Sequence, residues 1–247
     1  MSPDTLHEGA LLVADAHCAP WRTPFIDFLK SLESGQITTP QLILMGDVFD
    51  LLFGPIPETV RMNREGIEII NRLSEQIEIV YLEGNHDFAL SKVFPNVKVI
   101  ARSAQPWMAR FEERTVALSH GDLHMGTGYD VYTALIRNRW ILGCLNLIDR
   151  AGNGFIVRWL EKMMRRKNHC RTIEGFETVI AERLKGRDYR PADLLIEGHF
   201  HQNRGMELPE MAYFNLAAFA CNERYFSVQS TKNQPLLREA VFHKEPL

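Results

Sequence analysis

A chain of 247 residues, 45% of them apolar, can bury a normal core, and a net charge of −3 gives no global pull towards nucleic acid. The N-terminal segment carries Asp4 and Glu8 and lacks the basic and apolar stretches of an export signal. No apolar run approaches the roughly 20 residues that a spanning helix needs, so a cytoplasmic protein is expected.

The first half alternates strands and helices. A strand over 10–14 leads to a helix near 24–34, with Thr23 as its cap and Pro24 as its first residue. A strand over 41–46 is followed, after Gly54-Pro55-Ile56-Pro57, by a helix near 58–75. A strand over 77–82 precedes shorter ones near 97–101, 107–111 and 114–119. The pattern then breaks, and helical periodicity takes over at 129–138, 140–150, 154–167 and 174–186. Strands resume at 193–197, 205–208, 212–216, 225–229 and 236–242. This order predicts an α/β, two-sheet sandwich flanked by helices. It forms one domain over 1–247, with a helical cap insertion over 124–188. The cysteines Cys18, Cys144, Cys170 and Cys221 form no Cys-x-x-Cys pair and no dense framework, so a reduced thiol set is expected.

Polar clusters recur where the apolar runs end. They are Asp15-Ala16-His17, Gly46-Asp47-Val48-Phe49-Asp50, Gly84-Asn85-His86-Asp87, His120-Gly121-Asp122 and Gly198-His199-Phe200-His201. Taken singly, each is an ordinary turn or a structural histidine. Repetition changes that reading, because the C-terminal ends of strands are where an open α/β sheet binds its ligands. Carboxylates, imidazoles and an amide without thiolate suit Mn, Fe, Zn or Mg rather than a structural zinc site. The ligands suffice for two divalent cations sharing Asp47, the equipment that clamps an in-line displacement at phosphorus.

In order and spacing these blocks resemble the signature of the calcineurin-like metallophosphoesterases, D-x-H, G-D-x-x-D, G-N-H-[DE], a later His, and G-H-x-H. The resemblance implies a metallophosphoesterase sandwich. It implies one metal, Mn by preference, held by Asp15, His17, Asp47 and His201, and a second held by Asp47, Asn85, His120 and His199. It also implies that His86 serves the leaving oxygen as a catalytic residue, and that Asp87 orients its imidazole. Asp50 and Asp122 are expected to hydrogen-bond loops or ligands.

The insertion has a chemistry of its own. Phe155, Ile156, Trp159, Leu160, Met163 and Met164 share one side of the third predicted helix, opposite Arg158, Lys162, Arg165 and Arg166. From Arg137 to Arg171 basic residues outnumber Asp149 and Glu161. The faces suit either mutual packing or a lipid with an anionic headgroup. A helical cap at this place is similar to that of the UDP-2,3-diacylglucosamine hydrolases of the lipid A pathway. What that narrower resemblance implies is a nucleotide-sugar lipid substrate cut to UMP and 2,3-diacylglucosamine 1-phosphate. It further implies Arg137, Asn138 and Arg139 as substrate contacts, and a peripheral position on the anionic cytoplasmic face of an inner membrane. The chain departs from that group at His86, where Arg is usual, at Cys18, where Leu is common, and at Gln202-Asn203 after the last histidine. Another nucleotide or lipid phosphodiester is the alternative substrate, and a non-catalytic scaffold the alternative class.

Overall fold

In the computed structural model of the chain, residues 4–230 and 236–242 are described; Met1, Ser2 and Pro3 of the N-terminal segment lie outside the described residues. Two six-stranded sheets face each other. The first has the order Leu237–Val241, Arg224–Val228, Leu11–Val13, Gln41–Leu44, Glu78–Leu82, Lys98–Ile100, and its last four strands are parallel neighbours. The second has the order Asp4–Thr5, Trp107–Phe111, Arg114–Ser119, Leu194–Glu197, Ala212–Asn215, Arg204–Glu207. Within it Arg114–Ser119, Leu194–Glu197 and Ala212–Asn215 run parallel.

Side-chain alternation sorts the apolar residues into layers. Leu12, Ile43 and Val80 meet Val116, Leu118 and Ile196 in the seam between the sheets. Their chain neighbours Leu11, Val13, Leu42, Leu44 and Tyr81 pack outward against Phe25, Phe28 and Ile70 from helices Pro24–Glu33 and Arg64–Leu73. On the far side of the second sheet, Ala117, Leu195 and Tyr213 meet Phe176 and Ile180 of helix Phe176–Leu184. Strands covered on both faces read as continuous apolar runs, which is why 10–14 and 41–46 show no alternation. The predicted α/β sandwich is the observed architecture.

Helices Thr127–Ile136, Arg139–Ala151, Phe155–Met164 and Phe176–Leu184 lie between the paired strands Arg114–Ser119 and Leu194–Glu197. Leu142 and Val157 of this insert pack on Ile56 and Phe88. Phe88 belongs to a two-stranded ribbon, Leu52–Phe53 with Asp87–Phe88, that the sequence did not suggest.

Three readings need correction. The helix expected near 58–75 is two helices, Pro57–Met62 and Arg64–Leu73. Asn63 separates them because its amide donates to the carbonyls of Leu51 and Thr59, both at 2.8 Å. Thr23 sits at the cap position, but its hydroxyl makes no capping bond, and its carbonyl takes the N–H groups of Ile26 and Asp27 instead. The thiols are not all reduced: Cys170 and Cys221, 51 residues apart, form a disulfide, leaving Cys18 buried and Cys144 exposed. Spacing could not reveal that pairing, since the fold alone brings the two segments together.

Candidate metal centre

Parallel strands that end on one edge deliver their following residues to one place. Asp15 and His17 follow Leu11–Val13, Asp47 follows Gln41–Leu44, and Asn85 and His86 follow Glu78–Leu82. From the second sheet, His120 follows Arg114–Ser119, and His199 and His201 follow Leu194–Glu197. Turning sharply off the strand ends costs backbone strain. Asp15, His17, Asp47, His199 and His201 all adopt positive φ, between 43° and 63°. Such strain, about 1–3 kcal/mol per residue, persists only where the surroundings over-determine it, as at functional sites. Gly46 must lack a side chain here, because a Cβ would come within 2.5 Å of His120 Nδ1.

Among the described residues the candidate ligand atoms converge in four overlapping groups, one of them His17, Asp50 and His169, and two of the four match the expected sites. Asp15, His17 and His201 lie within 4.8 Å of one another, and so do Asp47, His120 and His199. Asp47 also lies within that distance of His17 and His86, between the two groups. Asp15 Oδ1 and His17 Nε2 are buried without a hydrogen-bond partner, and His201 Nε2 is 3.0 Å from that oxygen. In the second group His120 Nε2 lies 3.2 Å from Asn85 Oδ1, 3.3 Å from His199 Nδ1 and 3.6 Å from Asp47 Oδ2. Several lone-pair donors aimed at one point, deep in the protein and short of partners, fit a divalent cation.

The electrostatics agree. Burial, and then the neighbouring imidazoles, hold His17 and His199 well below the ordinary histidine range, so both are neutral, the form that ligates metal. Burial also opposes charge on His120, yet the carboxylates of Asp47, Asp15 and Asp122 raise it to about 9. Those carboxylates therefore offer a surplus of negative charge to a cation. His120 Nδ1 is 3.0 Å from the Met45 carbonyl, which directs Nε2 into the cluster.

His86 and Asp87 separate in role. The imidazole of His86 is held by the Asp50 carbonyl, 2.8 Å from Nδ1, and not by Asp87 as expected. The Asp87 carboxylate points the other way, accepting N–H groups from Asp47 (3.0 Å), Val48 (2.6 Å), Phe49 (3.2 Å) and Gly84 (2.9 Å), and the Tyr81 hydroxyl (2.6 Å). It shapes two ligand-bearing turns. Asp50 accepts from Arg22 at 3.1 Å and lies 3.0 Å from His17 Nδ1, while Asp122 accepts from Arg102 at 2.8 Å.

A cavity of about 680 Å³ opens on the cluster, lined by His17, Asp47, Asn85, His199 and His201 and by the segment from Lys167 to Glu174. Lys167 Nζ is 2.9 Å from His86 Nε2, and His169 is buried beside His17. The sequence reading missed both, since Lys167 looked like one more cation on a basic helix. Of the three expected substrate contacts, Arg137 comes nearest. It donates to the Gly84 carbonyl at 2.6 Å, while its Nε and Nη1 stay buried and unpartnered. Asn138 caps a helix, accepting from Trp140 and Ile141, and Arg139 stacks on Trp140 in the open. None of the three lines the cavity.

Over 207 residues the chain is 22% identical to the UDP-2,3-diacylglucosamine hydrolase of Salmonella arizonae, covering 81% of this chain and 85% of the relative. The protein of the same name in Vibrio cholerae serotype O1 is 21% identical over 196 residues, 78% of this chain and 81% of the relative. This chain is similar to the UDP-2,3-diacylglucosamine hydrolases. Residues and relatives together mark a phosphoric-ester hydrolase. Among solved structures, an archaeal phosphodiesterase covers 94% of this chain and 99% of its own, with a TM-score of 0.45 and 12% identity. No protein-family model matches the chain.

Proposed function

We propose that this chain hydrolyses the diphosphate of UDP-2,3-diacylglucosamine, releasing UMP and 2,3-diacylglucosamine 1-phosphate. One observation carries the lipid half of that reading. Beside the phosphoester site, the insert leaves Trp140, Leu147, Ile148, Phe155 and Trp159 more than half exposed, interleaved with Arg139, Arg150 and Arg158. Apolar side chains of that size uncovered on two successive helices mark a lipid or protein contact. Acyl chains and an anionic membrane face suit the mixture of aromatic and cationic groups. Among the described residues no helix is long and apolar enough to cross a membrane.

Asp15, His17, Asp47 and His201 would hold one divalent cation, and Asp47, Asn85, His120 and His199 the other, with Mn the preferred ion. When bound, the pair supplies Lewis acidity to the phosphoryl oxygens and to the attacking water. The protein's own groups do the rest. The Asp50 carbonyl fixes the His86 ring, leaving Nε2 turned towards Lys167 and 4.0 Å from Asp47 Oδ2. Burial, with Lys167 nearby, keeps that imidazole below its ordinary pKa, while its Nε2 accepts from the Lys167 ammonium. The pair thus holds a proton for the departing oxygen and a positive charge for the phosphoryl group. Arg137 supports the turn that carries Asn85, donating to the Gly84 carbonyl and lying over the Phe88 ring.

The test is Mn-dependent UMP release from UDP-2,3-diacylglucosamine, with UDP-N-acetylglucosamine and bis(p-nitrophenyl) phosphate as comparators and Asp47→Ala as blank. Strong preference for the diacylated substrate is expected. Turnover of the generic diester alone would keep the hydrolase and remove the lipid.

A further inference from the structure

Residues 167–173, within the insert between helices Phe155–Met164 and Phe176–Leu184, line the cavity over the ligand cluster. Several contacts bind this segment to one ligand group and not to the other. The His169 carbonyl accepts from His201 Nδ1, which reserves Nε2 of that ring for the cluster. The His169 ring lies 3.9 Å from the His17 ring, centroid to centroid. Its Nε2 is 3.7 Å from Asp50 Oδ1, the same oxygen that stands 3.0 Å from His17 Nδ1. The other group leans on different elements: His120 is set by the Met45 carbonyl and by Gln105, whose Oε1 accepts its N–H at 2.7 Å.

The disulfide closes this arrangement from behind. Cys170 follows His169 directly, and its partner Cys221 lies in the short helix Phe219–Asn222. The N–H groups of Phe219 and Ala220 in that helix donate to the carbonyls of Ala14 (2.9 Å) and Asp15 (3.1 Å). One covalent bond therefore joins the segment that orients His17 and His201 to the segment that holds Asp15. Cys170 is exposed, so a reductant can reach it. Gln202 gives the segment a second anchor, accepting the Ile173 N–H at 2.8 Å and donating to the Arg171 carbonyl at 3.0 Å. Cutting the disulfide should loosen the segment without releasing it.

We propose that residues 167–173 are the outer support of the ion held by Asp15, His17 and His201, with His169 as the positioning residue and Cys170–Cys221 as its clasp. Breaking the clasp then weakens one ion of the two. The inference rests on the two-ion reading above. Partners that orient metal ligands are worth 10–100-fold in metal affinity, and that is the expected size of the effect.

Manganese per chain is counted after equilibration against graded chelator, for the wild type, Cys221→Ser, His169→Ala, and the wild type treated with a phosphine. The phosphine gives two electrons to the disulfide and leaves as its oxide with an oxygen from water, while the two sulfurs take up protons as thiols. Far-ultraviolet circular dichroism verifies that each sample is folded, and reduction of the native protein tests the clasp without any substitution. The wild type is expected to lose its ions at similar chelator concentrations. The three altered samples should release one ion at a 10–100-fold lower concentration and keep the other. Phosphine should not change Cys221→Ser further. Equal retention by all four samples, or parallel loss of both ions, overturns the proposal. A folded wild type that binds no manganese overturns the two-ion reading itself and takes the proposal with it.

Discussion

Asp87→Asn separates a carboxylate that serves the reaction from one that builds the site. The substitution keeps the side-chain shape and exchanges one oxygen for an NH2 group. Oδ1 accepts two N–H groups, from Asp47 and Gly84, and Oδ2 accepts those of Val48 and Phe49 and the Tyr81 hydroxyl. Whichever way the amide turns, at least two buried donors face another donor. Hydrogen bonds to a charged group are worth about 1.5–3 kcal/mol each, so the loss is about 3–6 kcal/mol. For a chain of this size that is a fall of roughly 6–24 °C in Tm. Burial, and then the Asp47 carboxylate, push the Asp87 carboxyl up to about 7, so unfolding is followed at about pH 8.5, where the ionised form prevails. Urea unfolding of wild type and Asp87→Asn, each with and without manganese, gives the difference directly. An unchanged midpoint together with lost turnover would refute the structural role and restore Asp87 as the partner of His86.

His86→Gln should keep its manganese, counted by elemental analysis, and lose about 10²–10⁴-fold in turnover; loss of metal would make His86 a ligand. Burial, and then Asp50, raise the Cys18 thiol to about 12, so at pH 8 on the order of one molecule in 10,000 carries the thiolate. Iodoacetamide should therefore label Cys144 alone in the native protein, two cysteines after unfolding, and four after unfolding with reduction, as read by peptide mass. Labelling of Cys18 should grow about tenfold per pH unit up to that value, because the thiolate fraction does. Leu142→Ala empties part of the small cluster with Ile56, Phe88 and Val157, which should cost about 2–4 kcal/mol and speed proteolysis within the insert. Unaltered cleavage there would mean that Leu142 does not anchor the insert.

The ligand blocks were legible because each is local: an apolar strand ends and the chemistry begins within two or three residues. The helices Thr127–Ile136, Arg139–Ala151, Phe155–Met164 and Phe176–Leu184 were legible for the same reason, through their periodicity. What escaped the sequence is contact between distant segments. Asp87 stands next to His86 in the chain, but its carboxylate reaches a turn 38–40 residues earlier. Lys167 looked like part of a solvated basic face until the fold set it against His86. Cys170 and Cys221 carry no spacing signal, and His169 shows nothing in sequence that distinguishes it from any lone histidine. Asn63 broke a helix that periodicity had joined, because a carbonyl at Leu51 claimed its amide.

Both ligand groups draw from both sheets: Asp15 and His17 against His201 in one, Asp47 and Asn85 against His120 and His199 in the other. Each cation would then act as a rivet through the sandwich, and its affinity would report how well the two sheets mate. Thermodynamic linkage would make that reciprocal: whatever loosens the seam between Ile43 and Val116 or Ile196 would weaken metal binding, and bound metal would tighten the seam. Conservative changes buried among those side chains, far from any ligand, would therefore shift the concentration at which a divalent cation loads the site.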